Sequence, residues 1–429
     1  MNKINQILIL GLLVHVGVGS ARDLSLPEAL EVAADKNISI QQATNNTEVS
    51  KNTASLASAG LLPRVDWSTS TTITDATTQT VGGELTTTSS RNTAGLNASY
   101  TVFKGLQGMN SYKLLRSQAS AAELQEIMTT ENTLMAVARS YYSLLMNHDN
   151  LEILRDQMDV SRERLEQALD KNARGMSSSL QALAARVDFD SDSTSILEAE
   201  YAYQEARRSL NLILGWDINK IYEPVRVDRK FGEYDPRLLQ NIGLKSNTSY
   251  LLNQNFEGQS QLNLNKTLGT VLPTVSFTGK YGLSQINPDV DLALDNADIA
   301  LSGELSLTWN LFDGRKTKSL QSARILKKNS ELNTLDAKRS LMKDVESAYG
   351  SYIKSLQVLE LKQTNLESAQ LNFEQTREFF LLGQVGSTQF RDSQINLSRV
   401  KSSLIQAKYS AYLDEMNIWL LTGQLQEKI

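Results

Sequence analysis

IALSGELSLTWNLFDGRK, residues 299–316, decides how this chain is organised. Ile299, Leu301, Gly303, Leu305, Leu307, Trp309 and Leu311 alternate with Ala300, Ser302, Glu304, Ser306, Thr308 and Asn310, the period of a strand with one oily face. The alternation stops at Phe312-Asp313-Gly314, and a long helical pattern starts at once. About 209 residues earlier the same phrase occurs as AGLNASYTVFKG, Ala94 to Gly105, with Leu96, Ala98, Tyr100 and Val102 on one face. Such a strand, met once per half, belongs to a sandwich or to a barrel.

Working outward, the second half reads as a helix from Pro236 to about Gly269, then a break at Leu272-Pro273. A strand through Val275, Phe277, Gly279, Tyr281 and Leu283 follows, with a loop from Asn287-Pro288-Asp289. After the decisive strand a helix runs from Arg315 to Leu382, with Leu359, Leu366, Phe373 and Phe380 at heptad spacing. Gly383 breaks it, and a last helix reaches Leu421-Thr422-Gly423.

The first half has the same plan. Ser25-Leu26-Pro27-Glu28 starts a helix toward Gly60, with Ser25 as cap. Pro63 breaks it, and Val65, Trp67, Thr69, Thr71 and Ile73 form a strand. Thr74 to Asn92, rich in Thr and Ser with Gly82-Gly83, reads as a long polar loop. Met109 to Arg174 lacks Gly and Pro and carries a seam at Leu151, Leu154, Met158, Ser161, Leu165 and Ala168. A helix of about 70 residues reaches roughly 100 Å, several times the diameter of a compact domain. Gly175 ends it, and a return helix from Ser178 stops at Gly215.

Pro63 matches Pro273, Phe103 matches Phe312, Tyr141 matches Tyr349, Gly175 matches Gly383 and Gly215 matches Gly423, at a near-constant offset. Internal duplication accounts for this, with repeats of about 24–217 and 235–424 and strands within 65–103 and 275–312.

The chain of 429 residues has a net charge of −5, which gives no basic field for nucleic acid. It contains no cysteine, so disulfides, thiolate sites and a lipid-modified N-terminal cysteine are excluded. Residues 1–21 read as a cleavable signal peptide: Lys3, an apolar run from Ile7 to Val18, then Gly19, Ser20 and Ala21. No other stretch approaches the roughly 20 apolar residues of a spanning helix.

Four strands cannot close a membrane barrel, which starts at about eight, so closure requires several copies. Trp67, Tyr100, Phe277, Tyr281, Trp309 and Phe312 would then supply interface girdles. A soluble four-stranded sheet capping a coiled coil fits the same alternation.

In order and spacing, LSLPEAL, AGLLPRVDWS, SYTVFKG, SLTWNLFDGRK, LGQVGSTQFRDSQINL, LNLILGWD and IWLLTGQL resemble the TolC-like outer-membrane efflux family over nearly the whole mature length. The missing cysteine suits the unlipidated branch. The resemblance implies a mainly α chain with a β-barrel part: a homotrimer pooling its strands into one barrel of about twelve, continued by a periplasmic α-helical coiled-coil tunnel. Its function would be that of a passive exit duct in a tripartite efflux or type I secretion system. An adaptor and an inner-membrane pump, either a drug transporter or an ABC exporter, would open it. The alternative is a non-transporting periplasmic coiled-coil scaffold.

No phosphate loop, nucleophile elbow or metal spacing is present, and no cofactor, metal or catalytic residue is expected. Asp188, Asp190 and Asp192 read as a solvated surface or tunnel lining, and His148 as a surface histidine. Leu305, Leu307 and Trp309 are the expected lipid-facing positions. The turns carrying Gly175, Ser177, Gly383 and Gly386 are the expected adaptor-docking tips. The family commonly has two acidic residues one helical turn apart after the second glycine turn. These positions fall on Gln389 and Asp392, so one carboxylate remains, and the matching Gln181 is uncharged. Asp392 is either one member of a three-chain acidic entrance ring or a solvated residue paired with Arg391 or Arg174.

Overall fold

The computed structural model describes residues 22–226 and 228–428. The expected signal peptide at 1–21 lies outside the described residues. The chain runs β1 (Arg22–Leu24), α1 (Leu26–Lys36), α2 (Ile38–Thr53), β2 (Arg64–Thr80), β3 (Gly83–Lys104), α3 (Gln107–Ala173) and α4 (Ser179–Ile213). It continues with β4 (Tyr222–Pro224), α5 (Pro236–Ser246), α6 (Thr248–Gly269), β5 (Thr274–Asn287), β6 (Asp298–Thr308), α7 (Gly314–Leu381), α8 (Ser387–Leu421) and α9 (Leu425–Lys428).

The single helix expected from Ser25 to Gly60 is two helices and a turn, and the one expected from Pro236 to Gly269 is also divided. Asn37 and Asn247 cause both breaks. Each is extended, with ψ of 127° and 115°, and each ends one helix while capping the next. Asn37 Oδ1 accepts from the Ser39 N–H at 2.9 Å, and Asn247 Oδ1 from the Tyr250 N–H at 2.9 Å. Their amide groups donate to Ile213 O at 2.7 Å and Leu421 O at 3.1 Å, so each short helix is tied to the end of a return helix. The same side-chain contact recurs in both halves.

The sheet is fully antiparallel in the order β2-β3-β5-β6, with β2 and β6 at its edges. The polar loop expected over Thr74–Asn92 is strand almost throughout, and β2 and β3 stay paired up to Thr80 and Gly83. Threonine is β-branched and favours extended backbone, and its hydroxyls pair across the hairpin, as in Thr77 with Thr86 at 3.1 Å. The decisive strand is correspondingly shorter at its other end, stopping at Thr308. Asp313 then caps α7 by accepting from the Arg315 N–H at 2.9 Å.

Near the sheet, α2, α3, α6 and α7 lie side by side; beyond the midpoint the order is α4, α3, α8, α7. The main core sits where these two layers meet. Tyr142 stacks against Tyr409 and Tyr412 with ring centroids at 5.4 and 5.6 Å. The Tyr141 hydroxyl donates to Leu24 O and Val225 O, both at 2.7 Å, which fixes the small parallel pair β1-β4. The buried Glu415 carboxylate holds the linker between the halves, accepting from Arg229 Nη2, the Gly232 N–H and the Tyr234 hydroxyl at 2.7, 2.8 and 2.8 Å. A buried charge with this many partners is satisfied.

Candidate functional site: the two-faced sheet and the helical tip

Residues directly opposite one another in an antiparallel pair share a face. Trp67 opposes Leu96, Leu96 opposes Tyr281 and Tyr281 opposes Leu301. Val65, Ala98, Gly279 and Gly303 form a second such row, and Tyr100, Phe277 and Leu305 a third. Over these three rows the oily residues of all four strands therefore lie on one face. That face is bare: Leu301 is 81% exposed, Leu305 71% and Trp67 67%. Leu307 and Trp309 are exposed as well, and Trp309 Nε1 donates to Val271 O at 3.2 Å.

The opposite face is hydroxylic and charged, with Asn97 donating to Ser68 Oγ at 2.8 Å and Ser276 bonded to Ser306 at 2.9 Å. On this face Gly95 stands directly opposite Gly282. A Cβ on Gly95 would fall 2.7 Å from Tyr281 O and 2.8 Å from Gly282 Cα. The backbones approach too closely there for any side chain.

At the other end of α3 and α7 are the two turns. Gly175 and Gly383 take φ of +69° and +75°, and the following residues bond back across the helix end, Met176 N to Lys171 O and Gln384 N to Phe379 O, both at 2.8 Å. Ser177, Gln181, Gly383 and Gly386 come together around one cleft. Gln389 and Asp392 are exposed and do not line it. Arg174 bonds Asp170 at 2.9 Å, one turn back on its own helix.

Arg391 turns away from Asp392. Its two terminal nitrogens grip the Asp192 carboxylate at 2.6 and 2.7 Å, and Nη1 also reaches Ser161 Oγ at 3.0 Å. Asp192 is itself buried, as is Arg164, which pairs with Asp188. Within the acidic run Asp190 faces water beside Arg186 and Asp188 is half-buried, so the solvated reading fails at Asp192 alone. Asp188 and Asp192, four apart, share a helix face that is covered by α3 and α8. The basic partners lie too far along the chain, at 164 and 391, for local spacing to reveal them. Burial works to raise the Asp192 pKa, but bonds from Arg391, Ser161 and Gln157 outweigh it and hold the carboxyl below its ordinary value.

His148 is half-buried rather than on the surface, 3.5 Å from Asp149 and 3.8 Å from Glu223. With Asp149 and Glu152 it offers ligand atoms within 4.8 Å of one another. Arg226 already pairs with both carboxylates, so a guanidinium stands where a cation would sit. Among the described residues no helix is long and apolar enough to cross a membrane.

A sheet with a bare apolar face, joined to helices of 67 and 68 residues, has a clear counterpart among known proteins. The sequence profile described as "Outer membrane efflux protein" matches residues 29–216 and 267–424. The chain belongs to the outer membrane efflux protein family. It is 23% identical over 346 residues to the probable outer membrane lipoprotein SilC of Salmonella typhimurium, covering 77% of this chain and 72% of that one. It is 22% identical over 346 residues to the outer membrane protein TolC of Vibrio cholerae, covering 78% and 77%. The fold matches the crystal structure of the Campylobacter jejuni CmeC outer membrane channel with a TM-score of 0.79 at 16% identity, covering 93% of this chain and 86% of that one. The protein is an outer-membrane channel of the efflux-duct type with its helical part in the periplasm, and it is a conduit, not an enzyme.

Proposed function

We propose that residues 1–21 are a cleaved leader and that three copies of the mature chain assemble into one duct, each giving four strands to a barrel of about twelve. The observation that carries this reading is the two-faced sheet with both edges, β2 and β6, open. A bare apolar face is a liability in water and is satisfied in lipid, but lipid tolerates no unpaired edge. Pairing β2 of one copy with β6 of the next removes every edge and puts the polar side around a lumen. The helices support the same closure, because α4 and α7 form the outer flanks and both expose apolar residues. Leu183, Val187 and Leu197 lie on one flank, Leu361, Leu371 and Phe379 on the other. The closed ring of helices is a periplasmic tunnel, passive in itself, that a periplasmic adaptor and an inner-membrane pump engage and open. In planar lipid bilayers the purified trimer should conduct; a protein recovered from the soluble periplasm with no channel activity would overturn this reading.

The tip turns serve the adaptor. Nothing lies within 4 Å of a Cβ built at Gly175 or Gly383, so packing does not forbid a side chain there, but the left-handed backbone does. Gly175→Val or Gly383→Val should cost about 1 to 2 kcal/mol locally. Export should fall while trimer yield and membrane insertion stay normal; loss of insertion would instead assign these turns a purely structural role.

Asp392 guards the entrance. Exposed and unpaired with Arg391 or Arg174, it supplies one carboxylate per copy, three in the trimer. Divalent cations added on the periplasmic side should block conductance weakly. Block should vanish in Asp392→Asn and strengthen in Gln389→Asp, read as the change in blocking concentration in single-channel recordings. Unchanged block in Asp392→Asn would place the entrance constriction elsewhere.

A further inference from the structure

The cleft between the two tip turns has a volume of about 180 Å³, and its chemistry is one-sided. Arg164 and Lys171 line it together with Gln167, Ser177, Gln181 and Ser387, and no carboxylate does. Arg164 is the telling residue. Its side chain is 1% exposed, one terminal nitrogen pairs with Asp188, and Nε and Nη1 are buried without a hydrogen-bond partner. A buried guanidinium normally has its donors filled, because each orphaned donor forfeits its hydration for nothing. Burial already works against the charge of Arg164, lowering its pKa despite Asp188. The Ser177 hydroxyl at the same cleft is also buried and unpartnered.

Two helices begin at this place. The cap positions of α4 and α8, Ser178 and Gly386, make no side-chain bond to the first-turn N–H groups. Both 35-residue helices therefore present their positive ends beside the cleft without a side-chain cap. Arg164, Lys171 and Ser177 line the cleft as donors beside two helix N-termini, and an anion seated there would meet positive charge and donors on every side.

We propose that this cleft is an anion site that receives a carboxylate side chain of the periplasmic adaptor. The proposal rests on the duct reading for the identity of the partner, and on the cleft alone for the chemistry. The mouth favours a protein-borne group over a trapped ion: at Gly383 and Gly386 a Cβ would meet nothing within 4 Å, so a docking chain can reach in without displacing a side chain. Phe380 forms an apolar wall, with the Lys171 ammonium 5.8 Å from its ring centre, which suits the methylene stem behind a carboxylate.

The absence of cysteine permits a clean test. Thr388→Cys, next to the cleft but not lining it, is labelled with an environment-sensitive fluorophore in the purified detergent-solubilised trimer. Sodium acetate is titrated against acetamide, with ionic strength held by a bulky organic sulfonate. Acetate should give a saturable response that acetamide does not, weakened about tenfold by Lys171→Gln, the worth of one charge-assisted hydrogen bond. Lys171 is exposed, so this variant keeps its fold where Arg164→Gln disturbs Asp188. In cells, Lys171→Glu should lower export at least tenfold at unchanged trimer level, and a lysine replacing one acidic residue of the adaptor hairpin should restore it. No saturable acetate response overturns the anion site. A saturable response with wild-type export in Lys171→Glu overturns the adaptor assignment and leaves a site for free anions only. A wild-type chain that fails to export at all speaks against the duct reading, while the acetate titration still decides the site.

Discussion

Arginine at Leu305 is expected to prevent recovery of trimer from the outer membrane, while arginine at Ser306, the next residue, leaves trimer yield near wild type. Leu305 lies opposite Phe277 on the bare apolar face, and Ser306 lies opposite Ser276 on the hydroxylic one. Because strand side chains alternate, adjacent positions on β6 face lipid and lumen respectively. A guanidinium on the lipid side near the bilayer midplane costs about 2 to 4 kcal/mol per copy, and in a trimer the cost recurs three times. On the lumenal side the same group stays in water beside Glu304 and Lys280. Heat-sensitive migration on gels gives the trimer fraction, and unfolding in vesicles gives the energy. Equal tolerance of the two substitutions would refute the barrel.

The second large effect lies in the helical part. Asp192→Ala is expected to destabilise the α3-α4-α8 junction by about 3 to 5 kcal/mol, because it leaves the largely buried Arg391 without its bidentate partner. Asp192→Asn should lose most of the same energy, since an amide cannot neutralise the guanidinium. The double variant Asp192→Leu with Arg391→Leu should recover a large part, since the uncompensated charge is then gone. The pH dependence has a defined sign. The folded carboxyl titrates below its ordinary value, so its contribution is complete above the unfolded aspartate pKa of about 3.9 and is lost as pH falls through the folded value. Wild type should therefore lose stability on acidification in that window, and Asp192→Ala should lack this component. Denaturant unfolding of the trimer followed by circular dichroism measures both, and a cost under about 1 kcal/mol would show that Arg391 is held by its other contacts.

Much of this architecture was legible because it follows from periodicities. The heptad seam on α3 and the glycine turn at 175, with their repeats on α7 and at 383, are local patterns, as is the alternation from Ile299 to Thr308. Local patterns survive folding when one face must meet something different from the other. Elsewhere side-chain chemistry overrides pattern. Thr74 to Asn92 looked like a loop because it is polar, yet polarity says nothing against a strand built of β-branched residues. Asn37 and Asn247 split helices whose apolar spacing continues past them, since an asparagine that can cap one helix and brace another competes with the helical bond it replaces. At the tip, the position of Asp392 just after the turn was legible. The partners of Arg391 were not, because Asp192 and Ser161 are brought to it only when three helices pack.

Closure means three copies, edge to edge, with no free strand. In the cysteine-free background, cysteine at Leu305 on β6 is combined in turn with cysteine at Val65, Trp67, Thr69 or Thr71 on β2, and outer membranes are oxidised. β2 and β6 are separated by β3 and β5 within one chain, so a bond between them must join different copies. At the matching register covalent dimers and trimers are expected and nothing larger. Chains that stay monomeric at every register, or a ladder that continues beyond three, would contradict it.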